Sequence, residues 1–258
     1  MAITIVHYCV IRDLFEKGML PKECAILEIG EANVYGELHP QVFADDIKKY
    51  VADPQRREAL QQWLDKLVAN KNANFLFDLA KLFYALYFAA TDVLSIDLHG
   101  TGLSQKLDLN LPVTLNRKFD LAINHGTAEH IFNIAQVFRT MHDYTLPGGM
   151  MIHEDPFTGW IEHGFYNLQP TLFFDLAEFN QYEIVAMFIE DYTARSALTV
   201  TSRQDVYELA RDGKIPANSS LFVVFRKSLY DRPFQVPIQG YYRQALPEGG
   251  MEAWNNLR

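Results

Sequence analysis

The feature that most constrains the fold is an alternation of short apolar runs with stretches of helical periodicity. Three of these runs are "CAILEIG" (24–30), "KFDLAIN" (118–124) and "GMMIHED" (149–155). Each contains at least three consecutive apolar residues, and apolar runs of this kind are typical of strands that are buried on both faces. Strands of this kind, separated by helices, predict an α/β fold with a mainly parallel sheet that helices cover on both sides.

The remaining patterns complete this prediction. Ile11 and Phe15 lie four residues apart on a first helix that ends near Gly18. Further helices are predicted at about 41–90, 129–144 and 170–180, and "RREALQQWLDKLV" in the first of these is amphipathic. Further strands are predicted at 92–98, 105–109, 182–190 and 220–228, of which the last two pair antiparallel.

Composition narrows the classes of function. The chain has 258 residues, 49% of them hydrophobic, which suffices for one large domain. Its net charge is −9 and it has no basic cluster, so duplex nucleic acid is not an expected partner. Cys9 and Cys24 form no disulfide framework and are predicted to be reduced thiols. Since the amino terminus also has no basic leader, we expect a cytoplasmic protein.

Two segments allow alternative interpretations. The apolar stretch 74–90 contains Asp78 and Lys81 and is a little short for a bilayer, so no membrane association is expected. It is predicted to be a buried helix, and the alternative is a lid over the substrate. The tail at about 229–258 is predicted to be an ordered arm. This arm packs on its own domain or forms the subunit contact of a homo-oligomer.

Polar residues or glycine follow each of the first five predicted strands. Ligands of open parallel sheets bind beyond the carboxyl ends of the strands, so these positions indicate the binding site. Gly30 and Glu31 follow the first strand, Asp97 the second and Asp108 the third. A carboxylate at the position of Asp97 accepts two hydrogen bonds and suits the two hydroxyls of a ribose. Asp108, one strand further on, suits the amino group of an adenine.

The loop "GEANVYG" after the first strand argues against a pyrophosphate ligand. A dinucleotide-binding loop places alternating glycines here so that the backbone approaches the phosphates. In this chain Ala32 stands where the second glycine belongs, and the next glycine is Gly36. The loop therefore suits a ligand that has a ribose and a base but no phosphates.

Four segments in this order, "ILEIGEANVYG", "VLSIDL", "LDLN" and "FDLAINHGTAEHIFN", resemble the class I methyltransferases that use S-adenosylmethionine. The resemblance covers roughly residues 22–228. It implies a Rossmann-like, mainly parallel seven-stranded sheet with a C-terminal antiparallel hairpin. It also implies a single methyltransferase-like domain over 1–258. The predicted helical segment at about 41–90 is then an insert between the first two strands, much longer than the usual single helix.

The resemblance also implies roles for individual residues. Glu28 and Gly30 match the first cofactor motif. Glu31, which follows Gly30, is a further candidate for binding the cofactor. Asp97 matches the ribose-binding acid and Asp108 the adenine-side acid. Asn124 matches a polar residue that lies near the transferred methyl group and the substrate.

Methyl transfer from a sulfonium is an in-line displacement, in which the protein mainly aligns the acceptor. A hydroxyl or protonated amine acceptor also benefits from a general base, for which histidine is suited. The candidates that follow strands are His163, His125 and His153. For His130, which lies next to Glu129 in a predicted helix, a structural role is favoured.

The loop "GWIEHGFYNLQPT" combines aromatic rings with amides, which suits a small flat or amphipathic substrate. Its candidate substrate-binding residues are Trp160, Tyr166 and Asn167. The acidic and histidine residues between 153 and 163 do not have the spacing of a zinc motif, so no metal site is predicted.

The sequence therefore predicts a methyltransferase that uses S-adenosylmethionine and methylates oxygen or nitrogen of a small molecule. The long helical segment and the aromatic loop favour an acceptor from secondary metabolism. Two alternatives are a catalytically inactive methyltransferase-like partner subunit and a nicotinamide-dependent oxidoreductase. The glycine loop disfavours the oxidoreductase, whereas Ala32 in that loop favours the inactive module.

Overall fold

The computed structural model describes residues 2–35, 38–244, 246, 250–251 and 255–256, so that Gly36 and part of the predicted C-terminal arm lie outside the described residues. The strands are β1 (Ala2–Ile3), β2 (Ala25–Ile29), β3 (Asn33–Val34), β4 (Asp92–Ile96), β5 (Phe119–His125), β6 (Thr145–Thr158), β7 (Glu183–Asp191), β8 (Ser196–Thr199) and β9 (Ser219–Arg226). The helices are α1 (Ile5–Glu16), α2 (Pro40–Tyr50), α3 (Pro54–Ala69), α4 (Phe75–Tyr87), α5 (Ile134–Tyr144), α6 (Pro170–Asn180) and α7 (Arg203–Arg211). None of the helices in these ranges combines the length and the apolarity that crossing a bilayer requires.

Seven strands form one sheet in the order β4-β2-β5-β6-β9-β7-β8. The first four pair in parallel, and β9 pairs antiparallel with both β6 and β7. This arrangement confirms the predicted Rossmann-like sheet and its antiparallel C-terminal strands. The edge strand β8 and the helix α7 are not predicted, because β8 is mostly exposed and α7 buries no residue. Neither has the apolar pattern by which the other elements are recognised.

The predicted strand at 105–109 is wrong. Only Gln105 joins the sheet, through a single parallel bridge to Ile96. Three residues later the Asp108 carboxylate accepts the backbone N–H of Asn110 at 2.8 Å. This local turn offers the backbone a partner that competes with a strand ladder, so the strand does not continue.

The predicted helix 129–144 begins later than expected, at Ile134. A separate turn of 3-10 helix spans Ala128–His130. The Glu129 carbonyl accepts the N–H of Phe165, and the N–H of Asn133 donates to the Asn110 side chain. Because these groups have partners outside a helix, residues 128–133 do not join α5. They remain at the carboxyl end of β5.

Helices cover both faces of the sheet. Neighbouring residues of β2 point to opposite sides, as strand geometry requires. Ile26 packs in the core beneath α1 to α4, whereas Leu27 packs in the core beneath α5 and α6. Three helices, α2 to α4, thus occupy the long segment between β2 and β4 on one face.

The amino-terminal residues are held against the loop that follows β2. Ala2 and Ile3 pair in parallel with Asn33 and Val34. Thr4 then caps α1, with its hydroxyl accepting the N–H of His7 at 3.3 Å. This pairing carries the start of α1 over the carboxyl ends of β5 and β6.

Candidate active site

A cavity of about 410 Å³ lies at the carboxyl ends of β5 and β6. The start of α1 forms one wall and the loop after β6 forms another. Its lining includes Thr4, His7, His125, Gly126, Glu129, His130, Glu154, Trp160, His163 and Tyr192. The volume lies in the range of small-molecule sites, and four histidines and two glutamates are among the polar residues that line it.

The loop after β6 places an aromatic ring and a histidine at the cavity. Trp160 and Glu162 have φ angles of 55° and 60°, in the left-handed region that non-glycine residues rarely adopt. The indole N–H of Trp160 donates to the Ser219 carbonyl at 3.0 Å, and its ring lies 4.7 Å from that of His163. The hydrogen bond to β9 fixes the loop, so that both rings line the cavity.

Glu129, His130 and His163 form a cluster on this wall, which we call the Glu129 cluster. Oε1 of Glu129 lies 3.7 Å from Nε2 of each histidine, and the two rings are 4.9 Å apart. The Glu129 side chain is 1% exposed, against 42% and 40% for those of His130 and His163. Burial raises the pKa of Glu129, and the nearby carboxylates of Asp155 and Glu154 raise it further.

His125 and His7 face one another at the bottom of the cavity. Their rings stack with centroids 5.6 Å apart, and both residues are buried. Burial lowers the pKa of His125 to about 3, and the charge of His7 acts in the same direction. These surroundings therefore favour the neutral form of His125.

His7 belongs to a buried ionic cluster, which we call the His7 cluster. Its Nε2 lies 2.9 Å from Oε2 of Glu190 and 3.2 Å from Oε1 of Glu154. The Tyr192 hydroxyl donates to Glu154 at 3.1 Å. Although burial lowers the pKa of His7, the two carboxylates outweigh it and raise that pKa well above the usual value. One positive charge is thus held between two carboxylates.

Three residues predicted to face the substrate or to act as a base lie away from this cavity. The Tyr166 hydroxyl donates to the Phe132 carbonyl, and the Asn167 amide donates to the Gly159 carbonyl. The Asn167 side chain therefore stabilises the loop itself, and the Tyr166 side chain connects the loop to the segment before α5. His153 packs in the core among three aromatic rings, those of Phe138, Phe173 and Phe225.

Glu28 is predicted to bind cofactor, but its side chain is buried beneath the loop that follows β2. Its carboxylate accepts hydrogen bonds from Lys81, Ser95 and the Tyr84 hydroxyl, and from the N–H of Ala32 at 3.0 Å. The Glu28 side chain thus anchors α4 and the loop.

Gly30, Glu31 and Asp97 connect the ends of β2 and β4. Gly30 has a φ of 74°, and its N–H donates to the Ile96 carbonyl at 2.7 Å. Asp97 accepts the N–H of Glu31 at 2.9 Å, while the Glu31 carboxylate accepts the Thr101 hydroxyl at 3.0 Å. Asp97 is half-buried, and each of its carboxylate oxygens has a second lone pair for a ligand hydroxyl.

Asp108 and Asn124 differ in accessibility. Asp108 is half-buried and lies in the turn before Asn110. Asn124 is fully buried, donates to Asp155 at 2.9 Å and accepts the N–H groups of Thr127 and Ala128. The Asn124 side chain therefore positions the turn that carries Glu129 and does not line the cavity.

The cavity also contains residues that the sequence does not indicate. His7 is a single histidine in an apolar helix, and Tyr192 follows β7, two strands away from the predicted site. Both reach the cavity through tertiary packing. The dipeptide formed by Glu129 and His130 is the one local signal, and the sequence analysis favours a structural role for His130 in a helix.

Comparison with protein-family models gives no match, and no curated protein matches the chain. Among solved structures, an S-adenosylmethionine-dependent methyltransferase from Mesorhizobium loti is similar at a TM-score of 0.43 and 15% identity, over 86% of this chain and 98% of that one. A second is the 1,6-didemethyltoxoflavin N1-methyltransferase of Burkholderia thailandensis with bound S-adenosylhomocysteine, at a TM-score of 0.37 and 12% identity, over 87% and 78%. A third is an O-methyltransferase from a polyketide synthase of Brevibacillus brevis, also with S-adenosylhomocysteine, at a TM-score of 0.38 and 11% identity, over 96% and 82%.

Proposed function

We propose that this chain transfers a methyl group from S-adenosylmethionine to an oxygen or nitrogen of a small molecule. The observation that carries the proposal is the position of the cavity relative to the switch point of the sheet. The strand β2 lies between β4 and β5, so the order of the strands reverses there. Ligands of such sheets bind in the crevice at the carboxyl ends beside this point, and the cavity opens at the end of β5.

The cofactor would occupy the crevice between the loops after β2 and β5. The backbone at Gly30 faces its methionine part, Asp97 its ribose hydroxyls and Asp108 its adenine. Asp97 already accepts the N–H of Glu31, and the remaining lone pairs of its carboxylate are suited to the ribose.

The loop that follows β2 disfavours a dinucleotide cofactor. Phosphates bind to backbone N–H groups that have no other partner. Here the N–H of Glu31 donates to Asp97 and that of Ala32 donates to Glu28. Because these donors are already used by carboxylates, the loop supports a ligand without a pyrophosphate.

The acceptor would bind in the cavity, beyond the methyl group. Trp160 offers an aromatic wall, and His163 and Glu129 offer polar contacts on the same side. Methyl transfer requires the acceptor atom, the methyl carbon and the sulfur to lie in line, so the main task of these residues is to orient the acceptor.

Isothermal titration calorimetry with S-adenosylhomocysteine and with NADH tests this proposal. We expect S-adenosylhomocysteine to bind with a dissociation constant on the order of micromolar, as for many metabolite sites. NADH is expected to bind far more weakly. Tighter binding of NADH would support an oxidoreductase, and binding of neither ligand would support an inactive methyltransferase-like module. Either result would contradict the proposal.

A further inference from the structure

We propose that the Glu129 cluster binds one divalent transition-metal ion at the wall of the cavity. Ligand bonds of about 2.0–2.2 Å to one ion place neighbouring ligand atoms about 3.0–3.5 Å apart. Both distances from Oε1 of Glu129 to a histidine Nε2 are 3.7 Å. All three ligand atoms lie within 4.8 Å of one another, so small side-chain rotations would complete the coordination.

A second observation points to a cation at the same place. Oε2 of Glu129 is buried and has no hydrogen-bond partner among the described residues. Buried polar atoms are almost always paired, because an unpaired one loses its hydration without compensation. A cation bound to Oε1 between the two histidines would compensate the charge of this buried carboxylate, and bidentate binding would also give Oε2 a partner.

The donor set indicates which ions fit. Two imidazole nitrogens and one carboxylate oxygen suit zinc, cobalt, manganese or ferrous iron, whereas magnesium and calcium prefer oxygen ligands. The side chains of His130 and His163 are 42% and 40% exposed, and both residues line the cavity. Three protein ligands with an open side are typical of a catalytic site and not of a closed structural one.

The His7 cluster also brings three potential ligands together, but all three residues are buried. His7 and Glu190 are 1% and 0% exposed, and the hydrogen bonds of the Tyr192 hydroxyl connect the members to each other. In that cluster the His7 side chain already supplies the positive charge. The Glu129 cluster is therefore the site that we assign, in contrast to the expectation of no metal from the sequence.

This site would specify the chemical class of the acceptor, an inference that rests on the proposed methyl transfer. An acceptor hydroxyl bound at the open side would lose its proton to solvent more readily, because a bound cation lowers its pKa. The oxygen then forms its bond to the methyl carbon as the bond from that carbon to sulfur breaks, with its electron pair going to sulfur. The acceptor is thus an alcohol or phenol, and His163 acts on it through the ion.

Titration with Co²⁺ tests the site directly, on protein without a histidine tag, by calorimetry and by visible absorption. We expect one equivalent to bind and His163→Ala, His130→Ala and Glu129→Gln each to weaken binding about tenfold or more. Both histidines are surface-accessible, so their variants are expected to fold even if Glu129→Gln does not. The matched controls are Glu162→Gln in the same loop and His99→Ala on the surface, and both should bind Co²⁺ as the wild type does.

Absence of Co²⁺ binding, or equal affinity in the wild type and in His130→Ala and His163→Ala, would overturn the metal site. Calorimetry with S-adenosylhomocysteine on the same samples separates this result from failure of the proposed function. Binding of S-adenosylhomocysteine without Co²⁺ overturns only the metal site. Binding of Co²⁺ without S-adenosylhomocysteine supports the metal site and overturns methyl transfer.

Discussion

The imidazole of His7 lies between two carboxylates, with Nε2 2.9 Å from Glu190 and 3.2 Å from Glu154. His7 belongs to α1, whereas the two glutamates come from β7 and β6. All three residues are buried, so the attraction is little screened by water. This cluster ties the amino-terminal helix to the centre of the sheet and forms the floor of the cavity.

Replacing His7 by glutamine should destabilise the protein in a pH-dependent way. The variant leaves two buried carboxylates without a cation, which costs about 3–5 kcal/mol. Because the folded-state pKa of His7 is raised, its stabilisation is complete below the unfolded pKa of about 6.5 and is lost as pH rises through the folded value. Urea unfolding at pH 6 and at pH 9 or above should therefore show a difference between wild type and variant that shrinks at high pH.

The surface variant His99→Gln is the control for this measurement, since its side chain is exposed. It should unfold as the wild type does at both pH values. A His7→Gln difference that is constant with pH would show that His7 stabilises the fold only by packing.

Replacing Asp97 by asparagine should weaken binding of S-adenosylhomocysteine by about 1.5–3 kcal/mol, the range for hydrogen bonds to charged groups. The melting temperature should also fall, because Asp97 accepts the N–H groups of Glu31 and His99. Calorimetry on the folded variant gives the affinity. Thr101→Val removes two hydrogen bonds of the neighbouring loop without altering Asp97, and it should bind the ligand more tightly than Asp97→Asn does. Equal affinities would show that Asp97 does not contact the cofactor.

Replacing His153 by leucine should make the protein more tolerant of acid. Burial lowers the pKa of His153 to about 3, so the unfolded chain takes up a proton below pH 6.5 that the folded chain does not. At pH 5, about 1.5 units below the unfolded pKa, this difference lowers the free energy of unfolding of the wild type by about 2 kcal/mol, since one pKa unit corresponds to about 1.4 kcal/mol. Unfolding of both proteins at pH 7.5 and pH 5 should show a smaller acid loss in the variant. An equal loss would exclude His153 as its source.

Replacing Lys81 by methionine should destabilise the loop that follows β2. Glu28 is 2% exposed and pairs with the Lys81 ammonium, which is 18% exposed. Loss of that partner leaves a buried charge and should cost about 3 kcal/mol in urea unfolding. Adding Glu28→Gln to the Lys81→Met variant removes the charge and should recover part of the loss. A double variant less stable than Lys81→Met alone would contradict this account.

The sequence predicts the sheet well wherever strands are buried on both faces. The apolar runs at 24–30, 118–124 and 149–155 all lie in its parallel half. Helix α6 occupies Pro170–Asn180 as predicted, since a proline begins it and its apolar pattern is continuous. Elements without an apolar pattern, such as β8 and α7, give no signal of this kind.

The site is predicted less completely, for two physical reasons. His153 and Glu154 are consecutive on β6, so their side chains point to opposite faces, and only Glu154 lines the cavity. Choosing between them requires the register of the strand, which the apolar run at 149–155 does not define. His7 reaches the cavity because Ala2 and Ile3 pair with Asn33 and Val34, a tertiary contact of two residues on each side.

The position of β9 has a consequence for synthesis of the chain. This strand follows β6, β7 and β8 along the chain, yet it lies between β6 and β7. Until β9 emerges from the ribosome, one edge of β6 has no neighbouring strand. Neither β7 nor β8 can then join the sheet, because both connect to it through β9. Open edges of this kind recruit strands from other chains. The nascent protein is therefore most prone to aggregation after β8 is translated and before residue 226 is released, which is when a chaperone would protect it most.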